Sequence, residues 1–414
     1  MSTEPTTLPK GLLYTLALGT FAIGTESFMI AGLLPRIASD LAVTVTQAGL
    51  LVTAFALTYA IGGPLLAIFT SGWPRRTVLV GGMAAFALGN ALAYASHDYL
   101  GLLIARVLLA LTAGLYTPSA NALASAIAPP AQRGRALAIV SGGLTIAIVA
   151  GVPLGTLLGT HLGWRATFGA VALLSALAAV ALAVGLPKSL GAGAPPVSLK
   201  TRLDAARLPG VLPTLVVTLL WGTGTYAVLT YLAPYLKLVA DMPAEGMSGV
   251  LLLWGVAAAV GLAVGGRATD RFGSFNVVAP ALLLLAASFY YLAAMAGFGH
   301  WPLGLLLPGV VLWGLATWGF YPAQQNSLVN RSGVALAPVV LSLNASFQYA
   351  GFSLGALAGG FTVAHASPGV VGWVGGSFEV LALVLVFIIE RRRARAARVS
   401  AWTPLPPAPS RPGS

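Results

Sequence analysis

Residues 11–34 read GLLYTLALGTFAIGTESFMIAGLL, a stretch of apolar, small and hydroxyl-bearing residues broken by one carboxylate, Glu26. A helix needs about 20 such residues to cross roughly 30 Å of hydrocarbon, and a secretory leader has an apolar region of only about 7–15. The stretch therefore predicts a retained membrane-spanning helix. Working outward, eleven more runs of similar length follow at 47–70, 77–96, 99–127, 135–159, 164–186, 209–236, 247–266, 276–297, 302–329, 338–364 and 369–390. In lipid each must be helical, because unpaired backbone groups cannot face acyl chains.

Composition agrees. Only 8% of the 414 residues are charged against 57% hydrophobic, too little polar surface for a soluble chain of this size. There is no cysteine, so disulfides, thiol chemistry and zinc ribbons are excluded, and His97, His161, His300 and His365 lie scattered in gaps between the runs. No metal site is predicted.

The formal charge of +12 would suggest nucleic acid in a soluble domain, but its placement gives another meaning. With loops assigned alternately to the two sides, one side holds Lys10, Arg75, Arg76, Arg133, Arg135, Lys188, Lys200, Arg202, Arg207, Arg267, Arg271, Arg331 and the arginines of the C-terminal tail. The other holds Arg36, Arg165 and Lys237 with Asp40, Asp98, Asp241 and Glu245. By the positive-inside rule the basic side is cytoplasmic and both termini lie there. No nucleic-acid partner is expected; the partners expected are a small-molecule substrate, protons and membrane lipid, with the chain as a monomer.

The one long internal polar stretch divides the runs six and six. The predicted organisation is a short N-terminal segment 1–10, a first bundle 11–186, a linker 187–208, a second bundle 209–390 and a basic, Pro-rich, unstructured tail 391–414. Gly151, Gly155 and Gly159 in the fifth run recur as Gly351, Gly355 and Gly359 in the eleventh, a ridge at i, i+4, i+8 that lets another helix approach closely. A basic turn likewise follows the second and eighth runs, Trp73-Pro74-Arg75-Arg76 and Asp270-Arg271-Phe272-Gly273. The fold class expected is an all-α membrane protein of twelve helices in two pseudo-symmetric six-helix bundles, a design that rocks about a midplane site.

Three ionisable residues lie deep in the apolar runs: Glu26, Arg106 and Glu379. A charge there is costly and is by default a functional candidate. Glu26 precedes the far end of its helix, near Pro35, by about as much as Arg106 follows Tyr99, which puts both roughly 10–14 Å below the same surface. Thr15, Gly19, Ala22, Glu26 and Met29 form one stripe, and Arg106, Ala110, Ala113, Thr117 and Asn121 another, opposite Ile104, Leu108, Leu111 and Leu115. The small and polar residues on these stripes suggest a watered cavity. Burial favours the protonated form of a carboxylate and a nearby cation the ionised form, so moving Glu26 relative to Arg106 and water would load and release a proton. The alternative is a static pair that fixes helix packing.

These residues resemble the major facilitator superfamily, and within it the bacterial drug and sugar efflux branch that includes arabinose-type and purine nucleoside exporters. The resemblance covers about residues 11–390. Gly266-Arg267-Ala268-Thr269-Asp270-Arg271-Phe272-Gly273 is similar to the family's G-x-x-x-D-R-x-G loop motif; in the first half Ser71 and Gly72 stand where that motif has Asp and Arg. The stretch from Ala105-Arg106 to Arg135-Ala136 resembles the fourth helix and its loop, whose membrane arginine the family associates with proton coupling. Gly151-Val152-Pro153-Leu154-Gly155 resembles the antiporter signature of the fifth helix, with Val152 inserted between Gly and Pro.

The resemblance implies a cavity lined by helices 1, 4, 7 and 10. Its candidates are Met29, Ala113, Thr117 and Asn121 with Trp221 and Tyr231, from the face Trp221, Gly224, Val228, Tyr231, Tyr235, and Trp318, Tyr321 and Gln325, from the face Gly314, Trp318, Tyr321, Gln325. Such stripes serve packing as readily as ligand contact; Trp and Tyr beside Gln324, Gln325 and Asn326 would suit an uncharged or cationic amphipathic molecule. Gly151, Pro153, Gly155, Gly351 and Gly355 are expected in conformational change, as are Gly266, Asp270, Arg271 and Gly273. Glu379, on a twelfth helix that the resemblance makes peripheral, is given a structural or interfacial role ahead of coupling.

The function expected is proton antiport, exporting drug-, sugar- or nucleoside-type molecules across a bacterial plasma membrane, with a proton gradient as the energy source and no cofactor. Uptake or facilitated diffusion on the same fold is the alternative. An enzyme is disfavoured by the lack of cysteine, embedded histidine or nucleophile–base spacing, a sensor by the lack of a soluble domain, and a channel by the lack of polar rings.

Overall fold

The computed structural model describes residues 10–129, 132–187 and 199–402, with side chains to residue 395. Twelve helices in it are long and apolar enough to cross a membrane. The first half holds helix 1 (Lys10–Asp40), helix 2 (Val45–Phe69), helix 3 (Arg75–Ala95), helix 4 (Tyr99–Ile127), helix 5 (Arg133–Leu162) and helix 6 (Trp164–Gly185). The second holds helix 7 (Val211–Thr230), helix 8 (Met247–Phe272), helix 9 (Phe275–Gly297), helix 10 (Leu303–Ser332), helix 11 (Ala337–His365) and helix 12 (Val371–Trp402). Successive helices alternate in direction, so the ends of helices 1 and 12 share one side, the termini side; the opposite is the far side.

Helix ends follow local chemistry. Thr44 and Gln47 form a reciprocal capping box before helix 2, and Asp98 accepts the Gly101 N–H before helix 4. Gly273, at φ 80°, closes helix 8 in a conformation that costs other residues more.

The duplication is visible in packing. Methyl groups on Gly155 and Gly159 would press on Met29 and Leu33 of helix 1, and on Gly351, Gly355 and Gly359 they would meet Leu219, Thr223 and Ala227 of helix 7. Each ridge seats a neighbouring helix against its backbone, where dispersion contact replaces a hydrophobic drive that lipid does not supply. Gly63 and Gly114 meet back to back between helices 2 and 4, as Gly265 and Gly319 do between helices 8 and 10.

Five details depart from the sequence reading. Helix 8 extends to Phe272, so the motif read as a loop occupies its last two turns. Helix 12 continues to Trp402, and residues 391–402, read as tail, are helical because Arg- and Ala-rich segments are strong helix formers; residues 403–414 lie outside the described residues. Within the linker, Leu199–Arg207 forms a short helix whose Ala205 packs with Val211, Leu215, Leu328 and Val340, while 188–198 lie outside the described residues. Helix 7 breaks at Tyr231 and resumes as Leu232–Ala240, where Pro234 has no N–H to continue the ladder. Helix 5 likewise loosens into a π-turn at Ala147–Gly151, just before Pro153.

The halves meet toward the far side. Arg36 donates to Thr160 O in its own half and pairs with Glu245 of the other at 3.1 Å. Gly32 packs on Leu251, and a methyl on Gly255 would lie 3.0 Å from Val149 Cα, which places helix 8 against helices 1 and 5. Nearer the middle, Ser353 donates to Thr53 O and Tyr59 stacks on Tyr349 with ring centroids 3.6 Å apart. Helices 2 and 11 thereby close the other flank.

Candidate functional site

Helix 1 carries Glu26 and helix 4 carries Arg106 to the same depth, where they form an ion pair with neither side chain exposed. Arg106 Nε also points at Leu51 O at 3.4 Å, and its guanidinium lies 4.1 Å from the centre of the Phe55 ring. Glu26 Oε2 and one Arg106 terminal nitrogen have no hydrogen-bond partner among the described residues. A charge pair taken out of water is favourable only with good geometry and further hydrogen bonds, so two unspent polar atoms mark an electrostatically unfinished site. The sequence reading suggested water around it. In this conformation an aromatic wall borders the pair instead.

That wall spans both halves. Phe28 lies 6.3 Å from Tyr226 and 6.4 Å from Trp318, Tyr226 stacks on Phe352 at 3.7 Å, and Phe352 meets Tyr349 at 5.2 Å. Trp221 stacks on Phe320 at 4.9 Å and lies 6.2 Å from Tyr321. The Tyr59 hydroxyl lies near the polar groups of Thr117 and Tyr349, and that of Tyr321 near Gln325. The indole N–H groups of Trp221 and Trp318 and the Asn121 carbonyl oxygen lack hydrogen-bond partners among the described residues. Donors and acceptors set among aromatic faces suit recognition of a ring-bearing or amphipathic molecule with a few polar groups.

Of the residues selected from sequence, Glu26, Arg106, Thr117, Trp221, Trp318, Tyr321 and Gln325 gather in or beside this region. Met29 does not join them: it is buried against Gly155 and Thr167 as the packing partner of the ridge. Ala113 is buried in helix 4, and Asn121 is half-buried nearer the termini side. Tyr231 turns away, donating to Ala356 O and filling the space beside Gly49, Gly359 and Gly360 where helices 2, 7 and 11 cross. Phe55, Tyr59, Tyr226, Tyr349 and Phe352 are not among them; the four on helices 2 and 11 are marked in the sequence only by aromatic residues three or four apart, a pattern packing also produces, and Tyr226 of helix 7 carries no such signal.

The motif residues at the termini side are open. Asp270 and Arg271 are exposed; Arg271 lies over Phe272 at 5.1 Å, and Asp270 makes no ion pair or hydrogen bond among the described residues. In the matching turn of the first half Arg76 donates to Ala183 O at 2.6 Å and Leu186 O at 3.1 Å, capping helix 6. A cavity of about 440 Å³ lies in the second half toward the same side, but its charged groups Arg331, Glu390 and Arg393 pair with one another.

Two bundles of six, related by repeated glycine ridges and closed around a buried charge pair, match one family over most of their length. The profile of the Major Facilitator Superfamily covers residues 16–355. The chain belongs to the Major Facilitator Superfamily. Among its relatives, the chloramphenicol resistance protein of Streptomyces lividans is 36% identical over 91% of this chain and 95% of that protein. The inner membrane transport protein YdhP of Escherichia coli (strain K12) is 33% identical over 94% and 98%. In fold the chain is similar to a bacterial homologue of the human lysosomal transporter Spinster, crystallised in an inward-facing and occupied conformation, with TM-score 0.76 at 18% identity over 94% of this chain and 98% of that one. It is also similar to the POT family transporter PepTSo, with TM-score 0.78 at 11% identity over 93% and 98%. The protein is thus a multi-pass membrane transporter and not an enzyme.

Proposed function

We propose that this transporter exports small aromatic or amphipathic molecules across a bacterial plasma membrane in exchange for protons, with both termini in the cytoplasm. The observation that carries the reading is the Glu26–Arg106 pair, fully buried at the meeting of the halves and bordered by the aromatic wall. A carboxylate whose cation and access to water change as the halves rock binds a proton in one state and releases it in the other. Glu26 is the proton carrier and Arg106 the group that helps it ionise. Substrate lies against Trp221, Trp318, Tyr321 and Gln325, so that occupancy and protonation compete for the same region. Export, as against uptake, is supported by the drug-resistance relative and by the proline-containing ridge of helix 5. The far-side contacts support a state closed on the side assigned here to the outside.

The test is proton movement in proteoliposomes on adding candidate substrates, chloramphenicol among them. Substrate-dependent proton flux opposite in direction to substrate supports exchange. Flux in the same direction would establish uptake, and substrate movement without protons a facilitator.

A further inference from the structure

Helix 12 carries a second buried carboxylate that this exchange does not use. Glu379 is 0% exposed. Its Oε1 faces the Thr225 hydroxyl at 3.5 Å, and its Oε2 has no hydrogen-bond partner among the described residues. The contact with helix 7 is close: a methyl on Gly224 would fall 2.5 Å from Glu379 Oε1 and 2.7 Å from Gly375 O. From helix 9 the neighbouring surface is Phe289 and Tyr290, whose rings lie on Gly375 and Gly376, with the Tyr290 hydroxyl turned to Ser377. Residues 211–230 and 275–297 contain no Lys, Arg or His, and the single such residue of helix 11 is His365 at its far-side end. Among the described residues no cation faces Glu379 from any helix packed on it.

An ionised carboxylate held this way, without a cation or a full set of hydrogen bonds, is one of the most costly groups a membrane interior can contain. We infer that Glu379 is a second proton-binding site, occupied by a proton while helix 7 packs on helix 12 and emptied only when helix 7 moves away. Thr225 touches it on one face of helix 7. The next residue, Tyr226, stacks on Phe352 and lies beside Phe28 near Glu26 and Arg106. Helix 7 therefore stands between two carboxylates, and bending of its far-side end about the break at Tyr231, within the second bundle, would loosen the Gly224–Gly375 contact on opening the far side and wet Glu379. Protonation of Glu379 favours the far-side-closed state. This deepens the proton-exchange reading by adding a site in the second half, and it rests on that reading only for its role in transport.

Infrared difference spectroscopy of the intact transporter in lipid vesicles tests the inference without substrate or gradient. At neutral pH the wild-type protein should show the carbonyl absorption of a buried carboxylic acid, lost in Glu379→Gln and retained in Glu26→Gln. Glu379→Asp, which keeps the acid, should shift the band and not remove it. Cross-linking between Gly32→Cys and Leu251→Cys should decline at alkaline pH in the otherwise native chain and stay high when Glu379→Gln is added. Absence of the band in the native chain at neutral pH, its survival in Glu379→Gln, or an unaltered pH dependence of cross-linking in that variant would overturn the inference. The native chain's own spectrum decides the first point even if a variant fails to fold, and loss of proton exchange in Glu26→Gln decides the separate role of Glu26.

Discussion

Glu26 of helix 1 and Arg106 of helix 4 are joined in an ion pair from which bulk water is excluded, and Phe55 of helix 2 covers the guanidinium at 4.1 Å. Removing one partner of such a pair strands the other, at a cost of about 3–5 kcal/mol. Arg106→Ala is therefore expected to lower the unfolding midpoint in detergent markedly. Glu26→Gln with Arg106→Gln should cost less than the sum of the single changes, and strict additivity would show that the residues do not depend on one another.

The two glycine ridges are expected to differ in tolerance. A methyl on Gly155 meets side-chain atoms of Met29 and Thr167, both at 3.2 Å, which can yield; on Gly355 it lies 2.9 Å from the Ala227 backbone nitrogen and against Thr223 O. Gly155→Ala should retain most transport, whereas Gly355→Ala should slow it severalfold at normal membrane abundance. Equal transport by both variants would show that helix 11 does not bear on helix 7 as described.

Arg36 and Glu245 join the halves at the far side with both side chains partly exposed, 37% and 55%. An exposed pair contributes about 0–1 kcal/mol, so Glu245→Gln is expected to shift the balance between open and closed states only a few-fold. Cross-linking of Gly32→Cys with Leu251→Cys reads that balance directly, because the chain has no other thiol. Abolition of cross-linking by this one change would make the pair a dominant latch, contrary to expectation.

Orientation follows from the basic residues on the termini side. Cysteines placed at His161 or Asp241 should react with an impermeant reagent added outside intact cells, and one at Arg267 should not. The reverse labelling would invert the transport direction assigned above.

Much of this architecture is legible in the sequence because each signal is local and periodic. The apolar runs give the crossings, the repeated Gly151 and Gly351 series gives the close contacts, and the depths of Glu26 and Arg106 along their helices give the pair. What is not legible depends on which side of an apolar helix faces the other half. Tyr59 and Tyr349 look like any aromatic residue in a lipid-facing run until helices 2 and 11 bring them together. Tyr231 lies on the same stripe as Trp221, but the break at Tyr231 sends it into the glycine crossing of helices 2, 7 and 11. For Glu379 the sequence gives the charge, while its isolation from every cation exists only in the packing.

The central claim is that Glu26 carries the exchanged proton. Glu26→Gln keeps the size and hydrogen-bonding capacity of the side chain and removes its ionisation, so the decisive measurement is uphill export driven by an imposed pH gradient in proteoliposomes of this variant. The account predicts that gradient-driven accumulation is lost while substrate binding and downhill exchange survive. Full gradient-driven export by Glu26→Gln would contradict it and leave the Glu26–Arg106 pair as a static element of helix packing.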